Sequence, residues 1–329
     1  MKAIVHTQYG PPDVLKFEEI AKPTPADHEV LIRIYAASLN PLDKFVMRGA
    51  PLIRLIPGMR TPKYKGIGAD IAGRVEGVGR HVKQFQPGDE VFGVAKGMGG
   101  FAEYVCTVED NLALKPANLS FEEVAAVPVA AITALQGLRD KGRIQPGHKV
   151  VVDGASGGVG TFAVQIARSF GAEVTAVCST RNVDTARSIG ANHVIDYTRE
   201  DFTKSGQRYD LIMGANSYHS IFDYMRALSQ HGIYVLVGGS LARIFQGMLL
   251  GPLLSRIGTK KMCFFIAKIN QKDLVSLKEL LEAGKVAPVI DRRYSLSDAA
   301  EAVRYLEEGH AQGKVVITVE HGSVPCAFQ

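Results

Sequence analysis

Apolar and polar positions follow two different rhythms along this chain. Up to about Leu119, short β-like runs at 3–5, 29–37, 69–77, 89–93 and 101–107 are cut by turn clusters such as Gly10-Pro11-Pro12 and Pro87-Gly88-Asp89. Such runs predict strands, since Gly and Pro supply the turn geometry between them. One short helix is predicted at 41–47, after Ser38-Leu39-Asn40. At Ser120 the texture changes. Glu122 and Glu123 behind Ser120 mark a helix start, and 124–138 is rich in Ala, Leu and Val. Strand-like runs at 150–152, 174–178, 194–195, 211–213 and 233–237 then alternate with helical stretches near 159–170, 183–189 and 217–229. Regular alternation of this kind builds a doubly wound parallel sheet with helices on both faces. An apolar run at 262–267, helices at 272–283 and 297–307, and a strand at 314–319 follow without keeping the alternation. The predicted division is a β-rich domain over 1–123, an α/β domain over 124–267, and a segment over 268–329 that returns to the first domain.

The stretch 149–168 organises the rest. Val150 to Val152 lead into the turn Gly154-Ala155-Ser156-Gly157-Gly158-Val159-Gly160, and the following helix keeps Val159, Phe162, Ala163, Ile166, Ala167 and Phe170 at helical spacing until Gly171. Glycines let a backbone approach a pyrophosphate, and the free N–H groups and dipole of a helix start stabilise its charge. Against the pattern G-x-G-x-x-G, Ala155 takes the first glycine position. The β-like run at 173–178 follows at the spacing of a βαβ unit. Ser156, Gly157, Gly158 and Val159 are the predicted contacts of a dinucleotide.

Composition narrows the class. The chain has 329 residues, enough for two domains with their own cores. It is 46% hydrophobic and 22% charged with a net charge of +5, and its basic residues are dispersed. That favours a small anionic ligand over a nucleic-acid surface. Cys106, Cys178, Cys263 and Cys326 lie far apart, so neither a zinc ribbon nor a disulfide framework is indicated. The apolar stretch 241–258 is broken by Arg243, Gln246 and Arg256 and is not expected to enter a bilayer. With no signal-peptide pattern at 1–5, a soluble cytoplasmic protein is expected.

Six segments in order, AASLNPLD at 36–43, GADIAG at 68–73, PGDEVFG at 87–93, AITALQG at 131–137, GASGGVG at 154–160 and GKVVI at 313–317, resemble the medium-chain dehydrogenase/reductase family, in its zinc-free quinone-oxidoreductase branch. The resemblance implies a GroES-like catalytic domain, a Rossmann domain, a cofactor between them and a homodimer. In zinc-dependent relatives a Cys stands at the position of Asn40, a His at Ala69 and a further ligand near Val129. A catalytic zinc needs about three such ligands, so no metal is expected.

The end of the second α/β strand chooses the cofactor. An NAD-preferring fold carries an acidic residue there for the ribose hydroxyl, whereas this chain has Ser179, Thr180 and Arg181, with no carboxylate before Asp184. Hydroxyls and a guanidinium can donate to a 2′-phosphate, which predicts NADPH. The resemblance adds Tyr197 beside that phosphate, Asn40 and Thr133 in the nicotinamide pocket, and Phe265, Ile266 and Ala267 along the ring. Lys314, in the last motif, is counted among the cofactor contacts. Strand ends at Gly214-Ala215 and Val237-Gly238-Gly239 face the same crevice, because ligands bind at the carboxyl ends of parallel strands.

The implied chemistry is hydride transfer to a small, apolar, electron-poor substrate. Without a Lewis acid, a quinone or an α,β-unsaturated carbonyl is a more natural acceptor than a simple ketone. Asn40 is assigned to the catalytic pocket, and Asp43 and Tyr64 are candidate proton donors alongside Tyr218; no sequence rule selects among them. Reduction of enoyl thioesters, and a mainly structural or interaction role with retained NADPH binding, stand as alternatives. The stretch 241–258 reads as helix packing, a dimer surface or a substrate flap.

Overall fold

The computed structural model describes residues 1–49, 61–63 and 65–321. β1 (Lys2–Val5) pairs antiparallel with β2 (Lys16–Glu19). β3 (Glu29–Ser38) runs through Asn40 into α1 (Pro41–Arg48), and is followed by β4 (Asp70–Val78), β5 (Glu90–Val94), β6 (Tyr104–Val108) and β7 (Leu112–Leu114). β3 pairs with β4 along one edge and with β6 along the first half of the other; β5 joins β4 to β7. All these pairings are antiparallel.

The stretch expected as one helix at 124–138 is two. α2 (Phe121–Ala125) is capped by Ser120, whose hydroxyl accepts the Glu123 N–H at 3.2 Å while the Glu123 carboxylate accepts the Ser120 N–H at 2.7 Å. α3 (Pro128–Gln136) starts anew because Pro128 lacks the N–H needed to continue α2 and suits the first turn of a helix.

The α/β part then follows: β8 (Lys149–Asp153), α4 (Gly158–Ser169), β9 (Glu173–Cys178), α5 (Val183–Ser188), β10 (His193–Asp196), β11 (Tyr209–Gly214), α6 (Ile221–Ala227), β12 (Leu228–Leu236), α7 (Leu241–Ile257) and β13 (Lys261–Phe264). Its six strands are parallel in the order β10-β9-β8-β11-β12-β13. This is the Rossmann order, and the direction of winding reverses between β8 and β11, where such folds bind dinucleotides. Phe162, Ala163, Ile166 and Ala167 of α4 are fully buried in one core with Val150, Val152, Leu211 and Met213. Each large apolar side chain buried this way contributes about 1.5–3 kcal/mol.

After α8 (Gln271–Glu282), β14 (Ile290–Ser295) and α9 (Ala299–Glu307), the chain enters β15 (Lys314–Thr318). β14 pairs parallel with β15, and β15 pairs antiparallel with the last half of β3, beyond the reach of β6. The final strand thus joins the seven-stranded first sheet, order β14-β15-β3-β4-β5-β7. β2 and β14 are not visible in the apolar pattern: every residue of β2 is exposed, and Asp291, Arg292 and Arg293 interrupt β14. The run expected at 262–267 leaves the sheet after Phe264.

Candidate functional site

The turn after β8 is built for close approach. Gly154, not Ala155, has the left-handed backbone conformation, with φ of 83°, and a Cβ there would lie 2.7 Å from that of Asn216. Ala155 is fully buried, so the tight-turn glycine sits one position earlier than the motif spacing suggests. At Gly160 a Cβ would lie 2.1 Å from the Gly154 carbonyl oxygen, which fixes α4 against the turn. Gly157, the N-cap of α4, is different: the nearest atom to a Cβ there would be 3.6 Å away. No side chain caps α4 and no acid lies in its first turn. A glycine cradle open on one side, ending in a helix start with uncapped N–H groups, fits a pyrophosphate.

Behind the turn, Asp153 is 1% exposed and accepts the Tyr224 hydroxyl at 2.5 Å. Burial raises its carboxyl to about 7, against the opposing hydrogen bond from Tyr224. Its backbone oxygen accepts the N–H groups of Ala215 and Asn216, tying β8 to the loop after β11. That loop meets the one after β12 through a bridge between Ser217 and Gly239, and a Cβ on Gly238 would lie 2.4 Å from the Ala215 oxygen. Gly214, Ala215, Val237, Gly238 and Gly239 are therefore brought to the same crevice as the glycine turn. Gly214 itself is packed against Ser217 and Tyr234.

A buried polar cluster lies where the first sheet meets the turn. A Cβ on Gly158 would come 2.9 Å from Cδ of Lys314, and Gly157 forms a bridge with Gly313. From there Lys314 runs inward, and its ammonium donates to the Leu39 carbonyl at 2.9 Å, to Asn40 Oδ1 at 2.8 Å and to Asp70 Oδ2 at 3.2 Å. Asn40 Nδ2 donates to the same Asp70 oxygen at 2.9 Å, as does the Ser38 hydroxyl at 2.9 Å. Asp70 Oδ1 accepts the N–H of Val129 at 2.9 Å. An ammonium only donates and a carboxylate only accepts, so the Asn40 amide has one allowed orientation. Thr133 stands one helical turn beyond Val129 and donates to its carbonyl at 2.6 Å.

Asp43 is fully buried beside this cluster, with Oδ2 accepting the Asn40 N–H at 2.7 Å and Oδ1 the Gly68 N–H at 3.1 Å. Burial, with the nearby Asp70 charge adding to it, pushes the Asp43 carboxyl up to about 7. Both oxygens face backbone, so the geometry is that of a lock on the start of α1. Tyr64, the other candidate donor, lies outside the described residues. Tyr218 is half exposed, its ring against His219 and Tyr197, and burial raises its hydroxyl pKa.

At the end of β9, Arg181 donates through Nη2 to the His310 carbonyl at 3.1 Å, joining the α/β part to the loop before β15. Thr180 donates to Asp196 at 2.5 Å. Asp196, at the end of β10, also accepts from Thr198, and these hydroxyl bonds hold its carboxyl below the usual range. Ser179 accepts from Asn182 at 3.1 Å, and Tyr197 is exposed. Sequence reasoning passed over Asp196, which meets Thr180 only because β10 pairs with β9. Phe265 packs beneath Gly137, Ala267 is partly buried against the same core, and Ile266 is 83% exposed. Asp70 was also missed as a site residue; it sits in the GADIAG segment, yet nothing local announces a partner as distant as Lys314.

Ala69 is 2% exposed and the Val129 N–H is taken by Asp70. Among the described residues, no group of three or more His, Cys, Asp or Glu is placed to hold a metal ion. None of the described helices is long and apolar enough to cross a membrane.

Residues 26–117 match the family model described as alcohol dehydrogenase GroES-like domain, and residues 189–317 the one described as zinc-binding dehydrogenase. The chain is 38% identical over 336 residues to a 2-methylene-furan-3-one reductase of Solanum lycopersicum, covering 96% of this chain and 79% of the relative. It is 34% identical over 330 residues to an NADPH-dependent alkenal/one oxidoreductase, chloroplastic, of Arabidopsis thaliana, covering 96% and 79%. Among solved structures, the quinone oxidoreductase from Coxiella burnetii superposes with a TM-score of 0.85 at 30% identity, over 97% of this chain and 99% of that one.

Proposed function

The chain belongs to the medium-chain dehydrogenase/reductase family and is an oxidoreductase, and from that premise we propose an NADPH-dependent, zinc-independent reduction of quinones or related α,β-unsaturated carbonyl compounds. The observation that carries this reading is the contact of the Lys314 ammonium with Asn40 Oδ1 at 2.8 Å, beside the glycine turn. A cation already occupies the polar corner at position 40, and a dication held there would be repelled by it. Electron-poor substrates need no such metal, because their developing negative charge is delocalised.

The bound dihydronicotinamide supplies two electrons and a hydrogen nucleus as hydride, and one proton completes the reduced product. Gly157, Gly158 and the first turn of α4 hold the pyrophosphate, with Ser156 and Val159 beside them. Arg181, placed by the His310 carbonyl, reads the 2′-phosphate together with Ser179 and Tyr197; Thr180 does so after releasing Asp196. Asn40 and Thr133 line the nicotinamide pocket, with Phe265, Ile266 and Ala267 along its other side. Because both Asp43 oxygens face backbone N–H groups, solvent, Tyr64 or Tyr218 delivers the proton. A cytoplasmic homodimer completes the reading, and the absence of disulfides among the described cysteines suits a reducing compartment.

Chelator-treated protein assayed for NADPH oxidation with a quinone and an enone tests the proposal. Turnover that survives chelation supports it, and turnover restored only by zinc refutes it.

A further inference from the structure

We propose that Asp70 is the positioning residue of the reduction site, holding the Asn40 amide, the Lys314 ammonium and the first turn of α3 in one arrangement around the nicotinamide. The inference rests on the reading above, in which Asn40 and Thr133 line that pocket.

One carboxylate gathers four donors from three separate stretches of chain. Ser38 at the end of β3, Asn40 at the start of α1 and Lys314 at the start of β15 all donate to Oδ2, at 2.9, 2.9 and 3.2 Å. The Val129 N–H, in the first turn of α3, donates to Oδ1 at 2.9 Å. Val129 in turn accepts the Thr133 hydroxyl at 2.6 Å. Asp70 is itself fully buried, so it acts through these groups and touches no substrate.

The chemistry requires a carboxylate at this point. All four partners are donors, and a carboxylate can accept at both oxygens, whereas an amide would present an NH₂ group to at least one of them. The bonds to Lys314 and Asn40 are charge-assisted, and removing the carboxylate leaves the Lys314 ammonium buried without a counter-charge. An amide at position 70 turns its NH₂ group either to the Val129 N–H, freeing the first turn of α3, or to Asn40, which then loses one of the two bonds that fix its orientation. Hydride transfer is sensitive to such a change, because a misplacement of about 1 Å can cost on the order of 100-fold in rate.

The test compares the wild-type protein with Asp70→Asn, Asn40→Ala and the double variant, reading NADPH affinity by fluorescence and hydride transfer by single-turnover NADPH oxidation with a quinone. Asp70→Asn is expected to slow hydride transfer about 10-fold or more while NADPH still binds. The steady-state isotope effect from NADPH deuterated at the transferred position should rise as that step becomes limiting. The losses in the double variant should fall short of adding, since Asp70 works in part through Asn40. A wild-type rate per NADPH-binding site in Asp70→Asn, or losses that add in the double variant, would overturn the assignment. Should Asp70→Asn fail to fold, Ser38→Ala loosens the carboxylate while leaving both charges paired. A rate lowered a few-fold at unchanged melting temperature then supports the proposal, and an unchanged rate defeats it. A wild-type protein that binds NADPH yet reduces no acceptor refutes the functional reading itself, a result distinct from any behaviour of the variants.

Discussion

The side chain of Lys314 passes Gly158 so closely that a Cβ on that glycine would lie 2.9 Å from the lysine Cδ. A strand of the first sheet thereby touches the glycine turn that leads out of the second, and the same lysine ends on Asn40. Gly158→Ala should push this stem aside and disturb the ammonium at its far end. Lower turnover with the fold retained is the expected outcome, checked by steady-state rates beside a thermal melt.

Gly157 has room for a side chain as far as the protein is concerned, since the nearest atom to a Cβ there is 3.6 Å away. Gly157→Val should therefore fold normally yet lose both NADPH and NADH, because its side chain would fill the space of the pyrophosphate. Calorimetric titration with each cofactor, next to a melting curve, separates the two effects.

Gly160 behaves in the opposite way. A Cβ would sit 2.1 Å from the Gly154 oxygen, and that atom belongs to backbone that cannot rotate away. Gly160→Ala should destabilise the protein by about 1–3 kcal/mol, the usual cost of overpacking. Urea denaturation measures it directly.

Arg181→Ala should weaken NADPH far more than NADH, by about 1.5–3 kcal/mol for the loss of a charged hydrogen bond. Dissociation constants for both cofactors give the ratio; equal losses would remove Arg181 from the 2′-phosphate site.

The Asp153 carboxyl titrates near pH 7 when folded, well above its ordinary value of 3.8, because it is buried. A raised carboxyl binds more protons in the folded than in the unfolded state between those two values, so its contribution to stability falls as pH rises through that window. Asp153→Asn does not titrate. Its cost relative to the wild type should be largest near pH 4 and smallest above about pH 7, as read from urea midpoints across that range.

The local patterns of the chain carried much of this architecture. The Val150–Val152 run, the glycine turn and the helical spacing of Phe162, Ala163 and Ile166 placed β8 and α4 within a residue or two, because each signal is local. The change in rhythm near Ser120 separated a β-rich part from an α/β part, and the family resemblance implied that these are GroES-like and Rossmann. Features made by distant residues were not legible. Asp70 and Lys314 lie 244 positions apart, and Asp153 meets Tyr224 across 71. Neither pair leaves a periodic trace, since a buried polar contact needs only one residue at each end. β14 was hidden for another reason: it is an edge strand whose Arg292 and Arg293 are exposed, so the apolar pattern that marks a strand is absent.

The most direct measurement is the oxidation of NADPH and NADH by chelator-treated protein, offered phenanthrenequinone, a simple benzoquinone, an enone and an enoyl thioester. The account predicts chelator-resistant turnover, faster with NADPH than with NADH, and faster with a quinone or enone than with the thioester. Activity that disappears on chelation and returns with zinc, or NADPH binding without turnover of any acceptor, would contradict it.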